Sequence, residues 1–289
     1  VSDVVYLGEI HDNPWHHEFQ VQIIEQLVHS GAQPAVGIEM FSNGQTGELM
    51  QYVDGAPTAD DSVKAAAAAE KRLRSRLGWK DVRQQEWFSY FPLIEQARQN
   101  GIPVFGLDLP QGIRSRIVKN GVKGLTPVEQ RMVVDTGFNN TVYRQLMQEQ
   151  FTRSHCGWSE PGLLGRLYET WVARNDAMAI AVSDMLKGSD RRPVVVIVGS
   201  GHTRYNMGVV ERVQTLNPDV RQINIGFTPV QEGRNAVEEY LDLTRIDEGA
   251  ARPAYELIWF TPAVDREDPC VKFREQLERH AHGQTSTTE

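Results

Sequence analysis

Short, near-continuous apolar runs alternate along the chain with longer stretches of helical periodicity. Residues 4–8, 35–40, 103–109 and 193–199 are almost entirely apolar or glycine. Half-buried strands would alternate apolar with polar, so these runs predict parallel strands covered on both faces. Residues 220–227 and 255–260 predict two further strands. Between them, Phe19, Ile23, Ile24, Leu27 and Val28 recur at helical spacing. Asp12 or Asn13 serves as N-cap, Pro14 stands in the first turn and Gly31 follows the end. A second helix over 89–100 stops at Gly101 and leads into the third strand. This alternation predicts an α/β fold: an open, mostly parallel sheet flanked by helices. Helical insertions are expected at about 60–88 and 126–187, the second made of two long helices around a loop at 155–161. The whole span 1–289 reads as a single domain with a helical insertion subdomain.

Composition narrows the class. Of the 289 residues 40% are hydrophobic and 24% charged, which excludes wholesale disorder. A formal net charge of -8 argues against a nucleic-acid partner. The longest aliphatic run, 194–198, falls far short of the roughly 18 residues that span a bilayer. The chain opens on the strand residues Val4-Val5-Tyr6-Leu7 without Met or signal segment, so any targeting segment is expected to precede it. Of the two cysteines, Cys156 and Cys270, two unrelated buried thiols is the simpler reading. One long-range disulfide in an oxidising compartment also fits, whereas the spacing excludes C-x-x-C chemistry.

Ligands of open α/β sheets bind outside the carboxyl ends of the strands. There the sequence places Gly8-Glu9-Ile10-His11-Asp12-Asn13 followed by His16-His17, then Gly37-Ile38-Glu39, Gly106-Leu107-Asp108 and Gly199-Ser200-Gly201-His202-Thr203-Arg204-Tyr205. Each has a structural alternative: carboxylates capping helix amides, first-turn histidines, Asp108 as a helix N-cap, His202 as a packed loop residue. Their coincidence at one edge predicts a functional site. Gly199-Ser200-Gly201 lacks the Lys-Ser/Thr of a phosphate loop, and no Gly-x-Ser-x-Gly elbow occurs. Carboxylates beside imidazoles suit a divalent metal on Glu9, His11, Glu39 and His202, or a Glu/His pair activating water. In that hydrolase reading Arg174 stabilises an oxyanion. Arg174, Arg204 and Tyr205 also suit ligand carboxylates and ferric haem iron. The stretch 126–187 contributes Phe138, Tyr143, Phe151, Trp158, Tyr168 and Trp171, an ordinary core stripe or one wall of a porphyrin slot.

Leu7-Gly8-Glu9-Ile10-His11-Asp12-Asn13 with His16-His17 and Gln20 resembles the opening motif of the ChaN-type haem-binding proteins of the Tiki/TraB-related superfamily. Gly37-Ile38-Glu39-Met40-Phe41 is similar to its second motif. Arg174-Asn175-Asp176-Ala177-Met178-Ala179 resembles its helical motif with one residue shifted. Gly199-Ser200-Gly201-His202 resembles its Gly-Asn-Gly-His turn, with Ser200 and Val210 where Asn and Pro are usual. The resemblance implies an iron-regulated, lipid-anchored haem-binding protein of the bacterial envelope, on the periplasmic face of the outer membrane. Its implied partners are haem, a second subunit in a homodimer, and other envelope haem-uptake components. It implies axial tyrosine ligation without fixing which residue; Tyr205, three residues beyond His202 at the strand edge, is the first choice, with Tyr168, Tyr143 and His155 behind it. Arg174 or Arg204 would face the propionates, and His16, His17 and His202 would line the cofactor. It also favours a Cys156–Cys270 disulfide. A metal-dependent or Glu/His-assisted hydrolase is the alternative.

Overall fold

A computed structural model describes residues 2–55, 63–79, 84–133, 140–157, 161–264 and 270–271. Six strands form one parallel sheet: β1 (Val4–Glu9), β2 (Ala35–Ser42), β3 (Val104–Asp108), β4 (Val194–Gly199), β5 (Gln222–Pro229) and, after a short antiparallel pair β6 (Leu243–Thr244) and β7 (Arg252–Pro253), β8 (Leu257–Thr261). The order is β3-β2-β4-β1-β5-β8, and every described pairing in it is parallel. All six expected strands are present. β5 begins two residues later than its apolar pattern suggests, and β6 and β7 are too short to leave a pattern.

Period-two alternation explains why the strands read as continuous apolar runs. On β4, Val195 and Ile197 face one core, while Val194, Val196 and Val198 face another. The first core is covered by α1 (Pro14–His29), α2 (Thr46–Asp54), α3 (Val63–Arg76) and α4 (Gln84–Gln99), with Ile24, Leu49, Leu73, Trp87 and Leu93 buried there. Asn13 caps α1, its side chain accepting from the Trp15 amide (3.0 Å), and Pro14 follows at the position where a missing N–H costs nothing. α4 starts five residues before the expected boundary and contains Pro92.

The second core packs against α8 (Pro161–Gly188) and α9 (Val209–Leu216) through Met178, Ala179, Val182, Val209 and Val213. A buried ion pair between Arg212 on α9 and Asp176 on α8 (2.5 Å) joins the two helices. The latter half of α8 is therefore a layer of the sandwich itself, a correction to the reading of 126–187 as insertion throughout. α5 (Gln111–Asn120), α6 (Pro127–Gln130) and α7 (Thr141–Ser154) complete this side. Cys156 and Cys270 form a disulfide across 114 residues of chain. Phe138 and Trp158, two of the aromatics noted in the sequence, lie outside the described residues.

Candidate functional site

Strand order sets the order of the site. At the carboxyl ends of β3, β2, β4 and β1 stand Asp108, Glu39, Gly199 and Glu9, in that spatial sequence. Alternation sends the two glutamates to opposite faces of the sheet. Glu9 shares the parity of Leu7 and turns toward α1 and α4; Glu39 shares that of Ala35 and turns toward α8.

Glu9 is buried in a ring of donors. Its Oε1 accepts from His11 Nδ1 (2.8 Å) and from the Tyr90 hydroxyl of α4; its Oε2 accepts from Gln20 Nε2 (2.5 Å), with His17 Nδ1 at 3.5 Å. Glu39 Oε2 accepts from the Gly199 amide (2.6 Å), and Oε1 from Arg174 Nη2 (2.6 Å), with His202 Nε2 at 3.3 Å. Arg174 also bonds Asp108 through Nε (3.0 and 3.1 Å), and Arg114 Nη1 takes the second Asp108 oxygen (2.7 Å). Asp108 is not a helix cap: Pro110 is the α5 N-cap, and the carboxylate anchors two arginines instead.

His11 crosses the open end of the sheet between the two glutamates. Its Nδ1 is on Glu9, and its Nε2 stands 3.8 Å from Glu39 Oε1. The bare Cα of Gly199 makes room for it, since a Cβ there would lie 2.8 Å from His11 Nε2 and 3.3 Å from Glu39 Oε2. α8 supplies the opposite wall. Trp171, Arg174, Asn175 and Met178 share one face at three- and four-residue spacing, polar where the helix passes the sheet edge and apolar over the sheet. Trp171 stacks on His202 (centroids 3.7 Å, planes 15° apart). Asn175 gives its amide nitrogen to Trp171 O (2.9 Å), which turns its carbonyl oxygen onto His202 Nδ1 (2.7 Å) and makes that nitrogen the donor.

Burial alone would raise both glutamates. For Glu9 the His11 hydrogen bond and the His17 and His11 rings outweigh burial and hold it below the usual carboxylate range. For Glu39 the charges of His202, His11 and Arg174 do so more strongly. Burial works against the His11 imidazolium, but Glu39 and then Glu9 raise its pKa to about 9. Burial wins at His202 and lowers its pKa despite Glu39.

Glu9, His11, Glu39, Arg174 and His202 thus come together as the sequence expected. The divalent-metal reading finds no support in the structure. Among the described residues no group of three or more His, Cys, Asp or Glu side chains could hold a metal ion. The physical reason is that both glutamates spend their oxygens on N–H and O–H donors. His16 and His17 lie behind the site, both buried: His16 Nδ1 accepts from the Ile10 amide (2.9 Å), and His17 Nε2 donates to His11 O (2.9 Å). Tyr205, Tyr168 and Tyr143 gather in one separate buried cluster with Met147 and Met207, bordered by Phe151 and Trp171. Tyr205 adopts a left-handed backbone (φ 61°), and its hydroxyl accepts from Thr244 on β6 (3.0 Å). Tyr143 has two hydrogen bonds, its oxygen accepting from Trp171 Nε1 (3.1 Å) and its hydroxyl donating to Gly201 O (3.4 Å). Arg204 is paired with Asp242 and lies over the Tyr205 ring (5.5 Å). His155 is exposed, with Nδ1 on Phe151 O (2.7 Å). Tyr90 and Arg114 joined the site unannounced, because neither stands at a strand end nor in a recognisable spacing.

Residues 1–213 match the family described as haem-binding uptake, Tiki superfamily, ChaN. The chain belongs to this family. The ChaN-family fold is also seen in the solved structure of ChaN of Campylobacter jejuni, described as binding haem cofacially. That protein is 18% identical, with a TM-score of 0.59 over 81% of this chain and 84% of that one. A mutant of the erythromycin esterase EreC in its open conformation aligns over 94% of this chain and 79% of its own, at 12% identity and a TM-score of 0.43. Among curated proteins, the chloroplastic RETICULATA-RELATED 5 of Arabidopsis thaliana is 21% identical in an alignment 260 residues long that covers 82% of this chain. The chain spans 33% of that relative's length.

Proposed function

We propose that this chain binds ferric haem through an axial tyrosinate, Tyr205, and serves haem uptake at the bacterial envelope as a lipid-anchored homodimer. Membership of the haem-binding family over residues 1–213 is the observation that carries the haem reading. The chain's own side chains fit the group. Haem needs apolar walls, an axial donor and cations for its propionates, and Tyr205 stands among methionines and aromatics with Arg204 over its ring. A phenolate is a hard anionic donor suited to Fe(III). Tyr205 is favoured over Tyr143 because its oxygen meets one threonine hydroxyl of a two-residue strand, and because its left-handed backbone is the kind of strain kept at working sites. Haemin titration of wild type and Tyr205→Phe tests the assignment; the variant keeps the ring and loses the donor.

A Glu/His-assisted hydrolase remains the second reading, and one observation favours it. Glu9 orients the His11 ring at 2.8 Å while nearly half of the His11 side chain is open to solvent (45%). Hydrolysis of a simple ester panel, abolished by His11→Gln without added metal, would support it; no turnover would remove it.

A further inference from the structure

The two edges of the sheet are finished differently. β3 is buried along its whole length, and Thr46 of α2 accepts from its Gly106 amide (3.1 Å). β8 is the opposite edge, yet it reads like an inner strand: Leu257-Ile258-Trp259-Phe260-Thr261 carries no charge, and Pro262 comes only after it. Soluble proteins ordinarily blunt a free edge with lysine, proline or a bulge. Here Leu257 is 50% exposed, Trp259 41% and Phe260 36%. Both faces are apolar: Trp259 meets Phe19 of α1 on one (5.8 Å), and Phe260 meets Tyr240 on the other (5.0 Å). Exposed Trp15, one turn before Phe19, and exposed Val230, whose amide bonds Thr261 O (2.9 Å), extend the patch.

Ladder geometry identifies the free backbone groups. The Val230 amide on Thr261 O turns Thr261 toward β5, and alternation turns Trp259 and Leu257 the same way. Glu256, just before the strand, also gives its amide to β5, on Asn224 O (3.2 Å), so the free edge begins after it. The N–H and C=O of Ile258 and Phe260 therefore point away from the sheet, without a hydrogen-bond partner among the described residues. An antiparallel copy of the same strand satisfies all of them. With a two-fold axis at Trp259, Ile258 exchanges hydrogen bonds with the partner's Phe260, and Phe260 with the partner's Ile258. Trp259 then faces the partner's Trp259 at the closer, non-hydrogen-bonded position, and Leu257 faces the partner's Thr261. Exposed apolar surface around β8 comes to about 400–500 Å² per chain, so two copies would bury about 1,000 Å², where stable interfaces begin.

We propose that β8 pairs with β8 of a second copy of this chain, antiparallel about Trp259, joining two six-stranded sheets into one. A second copy fits because the strand complements itself residue for residue in this register: apolar side chains meet uncharged ones, and Glu256 stands opposite the partner's Pro262 rather than another carboxylate. This names a contact for the homodimer proposed above and requires no haem.

Sedimentation velocity of the full chain, without haemin, tests the pairing. Wild type should be dimeric at tens of micromolar. Trp259→Lys sets like charges opposite each other and removes the central aromatic pair, so it should weaken the dimer by about tenfold or more. An equimolar mixture of Trp259→Lys and Trp259→Glu should pair again, because the two-fold sets position 259 against itself. Circular dichroism of each variant checks folding. Hydrogen exchange supplies an arm that needs no variant. The Ile258 and Phe260 amides should exchange more slowly as wild type is concentrated through the dimerisation range, whereas the Trp259 amide, which the register turns to β5, should not change. Wild type that stays monomeric at tens of micromolar, including one that sediments instead with phosphatidylcholine vesicles, overturns the second copy as occupant. A dimer left intact in folded Trp259→Lys, or Ile258 and Phe260 exchange unaltered by dimerisation, overturns the β8 contact while leaving a homodimer in place. Haemin enters none of these arms, so their failure is distinct from failure of the haem reading.

Discussion

His11 shows how a single residue inherits its chemistry from two strands. Its pKa is raised from 6.5 to about 9 by carboxylates on opposite faces of the sheet. A raised folded-state pKa stabilises the fold fully below pH 6.5, and that contribution is lost as pH rises through about 9. Wild type should therefore lose stability relative to His11→Gln between pH 6.5 and 9.5, followed by urea midpoint; parallel curves would contradict the charged ring. Glu9 and Glu39 have the opposite sign. Their pKa values are depressed, so their stabilisation is present above the ordinary 4.5 and is lost as pH falls through the folded values. Gly199→Ala would put a methyl against His11 Nε2, a half-exposed ring able to move. We expect a stability cost of about 1 kcal/mol, read from the urea midpoint. Unfolding of the variant would show that the loop has no such slack. Glu9, His11, Glu39 and His202 were legible because apolar runs end where they begin. Tyr90 was not, because it reaches Glu9 from α4, 81 residues along the chain, with no pattern to mark the approach. Asp108 reads as a cap in sequence because Leu-Pro follows it; only the fold brings Arg174 and Arg114 to its oxygens.

Among the elements, α8 does most to join fold and site. One face of it delivers Trp171, Arg174 and Asn175 to the sheet edge and, a turn later, Met178 and Val182 to the core. Apolar periodicity revealed the helix, while its role as a layer of the sandwich depended on long-range packing that periodicity does not encode. Its tie to α9 is open to measurement. Asp176→Ala strands a buried Arg212 cation and should cost about 3 kcal/mol, since Arg212 retains Glu211 and the Gly208 carbonyl. Adding Arg212→Met should recover part of that loss. A double mutant as unstable as the sum of the singles would mean that the pair is not coupled.

At the scale of the whole molecule, the disulfide ties the end of α7 to residue 270, beyond the last strand. Closing a loop this long stabilises by about 4–5 kcal/mol on chain-entropy grounds, less any strain. The oxidised, denatured chain should show no titratable thiol, and reductant should lower the melting temperature. Two free thiols would contradict the bond. Sequence composition left the pairing open, and family resemblance rather than spacing favoured it. The open α/β sheet was legible throughout, because strands buried on both faces cannot hide their apolar character. The most direct measurement is optical titration of the full chain with ferric haemin, wild type beside Tyr205→Phe, against a serum-protein control. The haem reading predicts saturable binding tighter than the control, a tyrosinate charge-transfer band in wild type, and loss of that band with weakened binding in the variant. Wild-type binding no tighter than the control would contradict haem recognition, and an unchanged spectrum and affinity in Tyr205→Phe would contradict Tyr205 as the ligand.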